Sequence, residues 1–158
     1  MTQEALAEVL PSVRVGDREL DVATRLESAL RRRGSEWHPF PTIVASGPRS
    51  ALPHAHTSTR QVGRGEFLLL DFGAIVDGYC ADITRTVVVG GPPDERQQRI
   101  YGLVAAAQAN ARAAIRPGMT GREADALARD LIAVAGYGEA FGHSLGHGIG
   151  LEVHEAPR

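Results

Sequence analysis

An α+β fold is predicted by three features of this 158-residue chain. Two β-rich runs, Phe67 to Val76 and Tyr79 to Val89, are separated only by Asp77-Gly78, the strongest short-range hairpin signal a sequence carries. Helical periodicity lies on both sides of that hairpin. A pattern near the start also returns near the end: Arg18-Glu19-x-Asp21-x3-Arg25 against Arg122-Glu123-x-Asp125-x3-Arg129. Each copy follows a Val/Ile-Arg-x-Gly turn, Val13 to Gly16 and Ile115 to Gly118. A spacing of about 104 residues suggests two related halves, because a solenoid repeats every ~20 to 50 residues.

In chain order, residues 3–10 have helical composition and are broken by Pro11. Asp17 to Arg33 sets Leu20, Ala23, Leu26 and Leu30 on one helical face, and Gly34 ends it. Thr42 to Ala45 is a short apolar run between Pro41 and Gly47, read as a strand. Ser46 to Gly65 is rich in Ser, Thr, Gly, Pro and His and reads as loop. After the hairpin and a turn over Gly90 to Pro93, an Ala-rich helix runs from about Glu95 to Ile115. Thr120-Gly-Arg-Glu123 has capping-box form and opens a helix to about Ala135. From Gly136 onward glycine favours turns and strands over helix.

Composition narrows the function classes. The length and a hydrophobic content of 43% suit one compact domain, residues 1–158. A net charge of -2 gives no reason to expect nucleic acid or an anionic membrane as partner. All 17 basic residues are arginine, which excludes a Schiff-base lysine, a lysine base and a phosphate-loop lysine. The single Cys80 cannot form an internal disulfide, in keeping with a reducing compartment. No apolar run reaches the ~18 residues of a membrane span, and the start does not read as a secretion signal. A cytoplasmic location is the expectation.

The hairpin carries the first chemical signal. With Asp77-Gly78 as a two-residue turn, Val76 faces Tyr79 and Asp71 faces Thr84. Asp82 shares Thr84's face, so Asp71 and Asp82 are diagonal neighbours with Cα atoms about 7 Å apart. Their flanks are apolar (Phe67 to Leu70, Phe72, Val87 to Val89), and the face is expected to be enclosed. Two carboxylates there repel each other and lose hydration. A shared proton, an arginine such as Arg85, or a cation would relieve them. Solvated strand aspartates would need no relief, yet Asp disfavours strand interiors.

The second signal is Gly142-His143-Ser-Leu-Gly-His147-Gly-Ile-Gly-Leu-Glu152-Val-His154-Glu155, which holds three of the six histidines. His143 and His147 have the spacing of a helical zinc motif, but Gly142, Gly146, Gly148 and Gly150 would cost such a helix about 1 kcal/mol each. Gly142-His-Ser144-Leu-Gly146 matches a nucleophile elbow but lacks the following helix and a later acid-histidine pair. Ser144 is therefore not assigned as a nucleophile. His54 and His56 precede the hairpin in a loop, and His56 reads as surface decoration.

Together these segments resemble the pita-bread metallopeptidases, the family of methionine aminopeptidases, Xaa-Pro aminopeptidases, prolidases and creatinases. The matching stretches are Phe40-Pro-Thr-Ile-Val-Ala-Ser46, Asp71-Phe-Gly-Ala, Gly78-Tyr-Cys-Ala-Asp82-Ile-Thr-Arg-Thr86 and His143 to Glu155. The wording around Asp82 is closer to the proline-specific branch. The resemblance implies two pseudo-symmetric α/β halves around an antiparallel sheet. It implies metal ligation by Asp71, by a bridging Asp82 and by His147, with His54 and His154 beside the metals assisting substrate binding and transition-state stabilisation, and His143 as a further histidine lining the site. Two divalent cations are implied, and carboxylate-rich ligation suits manganese, with cobalt or zinc as other options.

The family completes its site with two glutamates downstream of the His-Glu-x-Pro segment, whereas this sequence ends at Arg158. Glu152 and Glu155 do not stand in those motifs. The expectation is therefore a catalytic domain with a truncated second half, without the amino-terminal domain of proline-specific members, and with little or no peptidase activity alone. The expected substrate is a peptide with proline second, and a homodimer stays among the expected assemblies. A creatinase-like hydrolase and a non-catalytic binding module are the competing expectations.

Overall fold

The computed structural model describes residues 1–157. The chain divides into two compact units, one of Met1–Pro93 with Ile149–Val153, the other of Asp94–Gly148 with the residues from His154 on.

In the first unit, helix α1 (Thr2–Val9) and helix α2 (Glu19–Arg32) pack on a three-stranded antiparallel sheet. Strand β1 is Ile43–Ser46, β2 is Glu66–Val76 and β3 is Tyr79–Val89, in the order β1-β2-β3. The side chains of Leu68, Leu70, Phe72 and Ala74, every second residue of β2, are buried with Val44 against Val22, Leu26, Ala29 and Leu30 of α2. Each such side chain contributes about 1.5–3 kcal/mol when fully buried. The helix stripe differs from expectation at its start: Leu20 is 46% exposed, whereas Glu19 is fully buried. Position 19 lies one turn before Val22 and Ala23 and so shares their face, while Leu20 points past the rim. Ser46, expected in the loop, is the buried end of β1. The loop itself opens with a short 3₁₀ turn, Gly47–Ala51.

The hairpin forms as predicted. Asp77 and Gly78 both take positive φ, 50° and 78°, the geometry of a two-residue turn whose twist matches the strands. It sets Val76 opposite Tyr79, Gly73 opposite Asp82 and Asp71 opposite Thr84. At the far edge Cys80 N–H donates to Gly150 C=O at 2.7 Å, pinning the Ile149–Val153 segment to the start of β3.

In the second unit, helix α3 (Glu95–Ala114) packs on helix α4 (Gly121–Val134) through Ala107, Ala111, Ala128 and Ile132. Both helices open with complete capping boxes, Asp94 with Gln97 and Thr120 with Glu123. No described helix is long and apolar enough to cross a membrane.

The internal echo is real but registers differently. Gly16 and Gly118 have φ of 92° and 90°, and Gly34 and Gly136 have 96° and 84°. Arg14 donates to Pro11 and Val13 carbonyls, and Arg116 donates to Ala113 and Ile115 carbonyls. The two helices between those glycines are 14 residues each. These pairs lie 102 residues apart, which corrects the spacing of 104 given by the Arg-Glu-x-Asp letters. That motif is displaced by two positions: Glu19 is the first residue of α2, whereas Glu123 sits at the third of α4.

Candidate metal centre

The hairpin turns Asp71, Asp82 and Thr84 to the face opposite its packed core. The face is half-open rather than enclosed: Asp71 and Asp82 are half-buried and Thr84 is exposed. The packing helices account for this, because they cover the Leu68-Leu70-Phe72 side. One oxygen of Asp71, Oδ1, is nevertheless buried without any hydrogen-bond partner. Burial raises the Asp71 carboxyl to about 6, helped by the charge of Asp82 and its hydrogen bond, while Thr84 and His54 pull the other way. Arg85 does not supply the relief: it stands opposite Leu70 and donates to the Thr84 carbonyl at 2.7 Å. A shared proton or a cation remains. An orphaned, buried carboxylate oxygen beside a second acid fits a divalent cation well.

His54 is exposed, yet near enough for its charge to act on Asp71. The loop that carries it is closed by a residue whose role the sequence did not disclose. Glu19 accepts from Ser46 N–H at 2.8 Å and Ser46 Oγ at 2.9 Å on one side, and from Ser58 N–H at 3.1 Å and Ser58 Oγ at 2.6 Å on the other. Arg49 Nε adds 3.3 Å contacts to both oxygens. Burial opposes ionisation of Glu19, but the Ser58 and Ser46 hydrogen bonds and the Arg49 charge overcome it and hold the carboxyl below its ordinary range. The available signal was an acid one turn before Val22 on an otherwise apolar stripe.

No helix forms between Gly142 and Pro157. His147 and His154 meet edge to face, ring centroids 4.2 Å apart at 87°. The contact is built by Gly148, whose N–H donates to Glu155 C=O at 3.0 Å and to Pro157 C=O at 2.8 Å, while Glu155 N–H returns to Gly148 C=O at 2.9 Å. A Cβ at position 148 would lie 2.3 Å from the Ala156 oxygen, so only glycine fits. His147 Nδ1 lies 2.9 Å from the Gly148 carbonyl, and His143 Nδ1 lies 2.8 Å from the Ser144 carbonyl. A carbonyl only accepts, so Nδ1 carries a proton in each ring, and Nε2 of His143 is the nitrogen left to a ligand. Among the described residues, no group of three or more His, Cys, Asp or Glu converges as a complete metal cage. What the structure brings together is an acid pair with His54 in one unit and a histidine pair in the other.

The antiparallel hairpin sheet with its packed helices thus defines a chain of the pita-bread class. The sequence profile of metallopeptidase family M24 (Peptidase_M24) matches residues 1–158, and the chain belongs to that family. It is 50% identical over 157 residues to the uncharacterized peptidase YqhT of Bacillus subtilis, covering 99% of this chain and 44% of the relative. It is 46% identical over 158 residues to an Xaa-Pro dipeptidase of Pyrococcus furiosus, covering 100% of this chain and 45% of the relative. Among solved structures, an Xaa-Pro dipeptidase from Bacillus anthracis superposes with a TM-score of 0.95 at 50% identity, over 99% of this chain and 44% of that one. The prolidase from Pyrococcus furiosus gives 0.94 at 46% identity, over 98% and 46%. The chain therefore spans less than half the length of these relatives.

Proposed function

We propose that the protein to which this chain belongs hydrolyses the peptide bond between an amino-terminal residue and proline. The observation that carries this reading is the acid pair with its orphaned Asp71 oxygen, held on a hairpin whose wording matches the proline-specific branch. Similarity to proteins named Xaa-Pro dipeptidase and prolidase supports the substrate class.

Asp71, Asp82 and His147 would hold the metal, two divalent cations with manganese first and cobalt or zinc as options. When bound, such a pair supplies Lewis acidity and makes water nucleophilic near neutral pH. His147 would ligate through Nε2, since its Nδ1–H is directed at the Gly148 carbonyl. His154, in edge contact with His147, donates a hydrogen bond to the oxygen on which negative charge develops, worth about 3 kcal/mol in comparable sites. His54 and His143 line the substrate. A cytoplasmic location and the absence of nucleic-acid or membrane partners belong to the same reading, supported by the charge balance and the lone thiol; a homodimer is the assembly it expects.

The test is calorimetric titration of the chain with Mn²⁺, wild type against Asp82→Ala. Saturable uptake by the wild type, lost or weakened at least about tenfold in the variant, is the expected outcome; identical isotherms would refute metal binding at the hairpin. Profiling with Xaa-Pro dipeptides, longer Xaa-Pro peptides and creatine then separates the peptidase from a hydrolase of small non-peptide substrates. This chain alone is expected to turn over little or none of them.

A further inference from the structure

The Arg122-Glu123-x-Asp125-x3-Arg129 motif, out of register with its apparent twin, acquires its own task in the second unit. Asp125 and Arg129 lie one helical turn apart on α4 and pair side by side, Arg129 Nε to Asp125 Oδ2 at 2.5 Å and Nη2 to Oδ1 at 3.0 Å. An exposed pair of this spacing does little alone. Here both partners reach outward to the non-helical segment that carries His143. Arg129 Nη1 donates to the Phe141 carbonyl at 2.7 Å, and Nη2 donates to the His143 carbonyl at 2.7 Å. Asp125 Oδ1 accepts from Leu145 N–H at 2.9 Å. The guanidinium also lies over the Phe141 ring at 4.3 Å, and that ring meets the edge of His143 at 4.9 Å. The backbone is thus held before, at and after His143, and the imidazole is braced on one side by Phe141.

We infer that Asp125 and Arg129 are positioning residues for His143. They fix the backbone from Phe141 to Leu145 so that the imidazole settles with Nδ1–H on the Ser144 carbonyl and Nε2 free to meet a polar ligand. Only a planar fork reaches a carboxylate and two carbonyls together, which a lysine ammonium at the same position does not reproduce. That His143 then serves a peptide substrate rests on the peptidase reading; the clamp itself does not.

The test uses the metal-free chain and imidazole ¹H–¹⁵N correlation spectra. In the wild type, His143 is expected as the Nδ1–H tautomer with a slowly exchanging Leu145 amide. Arg129→Gln and Arg129→Lys should both lose that tautomer signature and speed Leu145 exchange at least about tenfold, with the amide signals of α4 retained. In Arg129→Ala, added ethylguanidinium should restore both signals. Asn110→Ala removes the 2.7 Å bond from Asn110 Nδ2 to the Leu127 carbonyl and loosens the same helix pair elsewhere; it should leave His143 unchanged. Wild-type signals in Arg129→Lys, or equal loss in Asn110→Ala, would overturn the inference. Should Arg129→Gln unfold, shown by collapse of the α4 signals, Arg129→Lys decides. Mn²⁺ that broadens no Asp82 or His147 resonance would sink the peptidase reading instead and leave this test standing.

Discussion

Asp71 gains a proton on folding, and that has a measurable sign. Its carboxyl rises from 3.8 to about 6, so between those values the folded chain holds a proton the unfolded chain has released. Its contribution is complete below the unfolded value and is lost as pH rises through about 6, a change of at most about 3 kcal/mol. Glu19 runs the other way, since its carboxyl is held low: its contribution is present above the unfolded value and is lost as pH falls through the folded one. Asp71 should therefore make the metal-free chain lose stability from pH 5 to about pH 7, with no further loss from this group up to pH 8. Urea denaturation in the presence of a chelator measures this. Mn²⁺ at pH 8 should reverse the decline in the wild type and not in Asp82→Ala. A flat profile between those pH values would contradict the placement of Asp71.

At the scale of elements, two short segments owe their geometry to single residues. Glu19 joins the first turn of α2 to the end of β1 through Ser46 and to the far end of the His54 loop through Ser58. Glu19→Ala should cost about 3 kcal/mol, because it strands buried donors and the Arg49 charge, and Glu19→Gln should cost less. Denaturant unfolding gives the magnitude, and hydrogen exchange in residues 47–57 should rise before the sheet is affected. Gly148 does the same for the histidine segment. Gly148→Ala should open the Gly148–Glu155 bridge and abolish the ring-to-ring nuclear Overhauser contacts of His147 and His154, while the α3–α4 core stays intact. Persistence of those contacts would mean that the backbone tolerates a Cβ beside the Ala156 oxygen.

For the molecule as a whole, what the sequence disclosed follows from how far each signal reaches. The hairpin register was countable because the turn residues dictate a two-residue loop and alternation does the rest, which placed Asp71 opposite Thr84. Helix starts were legible where a capping box spelled them, as at Thr120 and Glu123. Glu19 was not legible as a hub: an acid in a first helical turn ordinarily complements the helix dipole from the surface, and only the tertiary approach of Ser46 and Ser58 changes that. The repeat was misregistered because shared letters were counted instead of the positions that shape the backbone, Gly16, Gly34, Gly118 and Gly136. The openness of the acid face depends on what packs against the sheet, and no local pattern encodes it.

The turn that aligns the acids also governs how this protein ages. An aspartyl side chain followed by glycine is the pair most prone to cyclise onto the next nitrogen and reopen as isoaspartate. At Asp77-Gly78 that nitrogen is occupied, donating to Glu36 Oε1 at 3.2 Å. Glu36→Ala should accelerate isoaspartate formation at position 77 on storage, detectable by peptide mapping. Each event would insert an extra atom into a backbone path that has no slack, and the count that sets carboxylate against carboxylate would no longer hold.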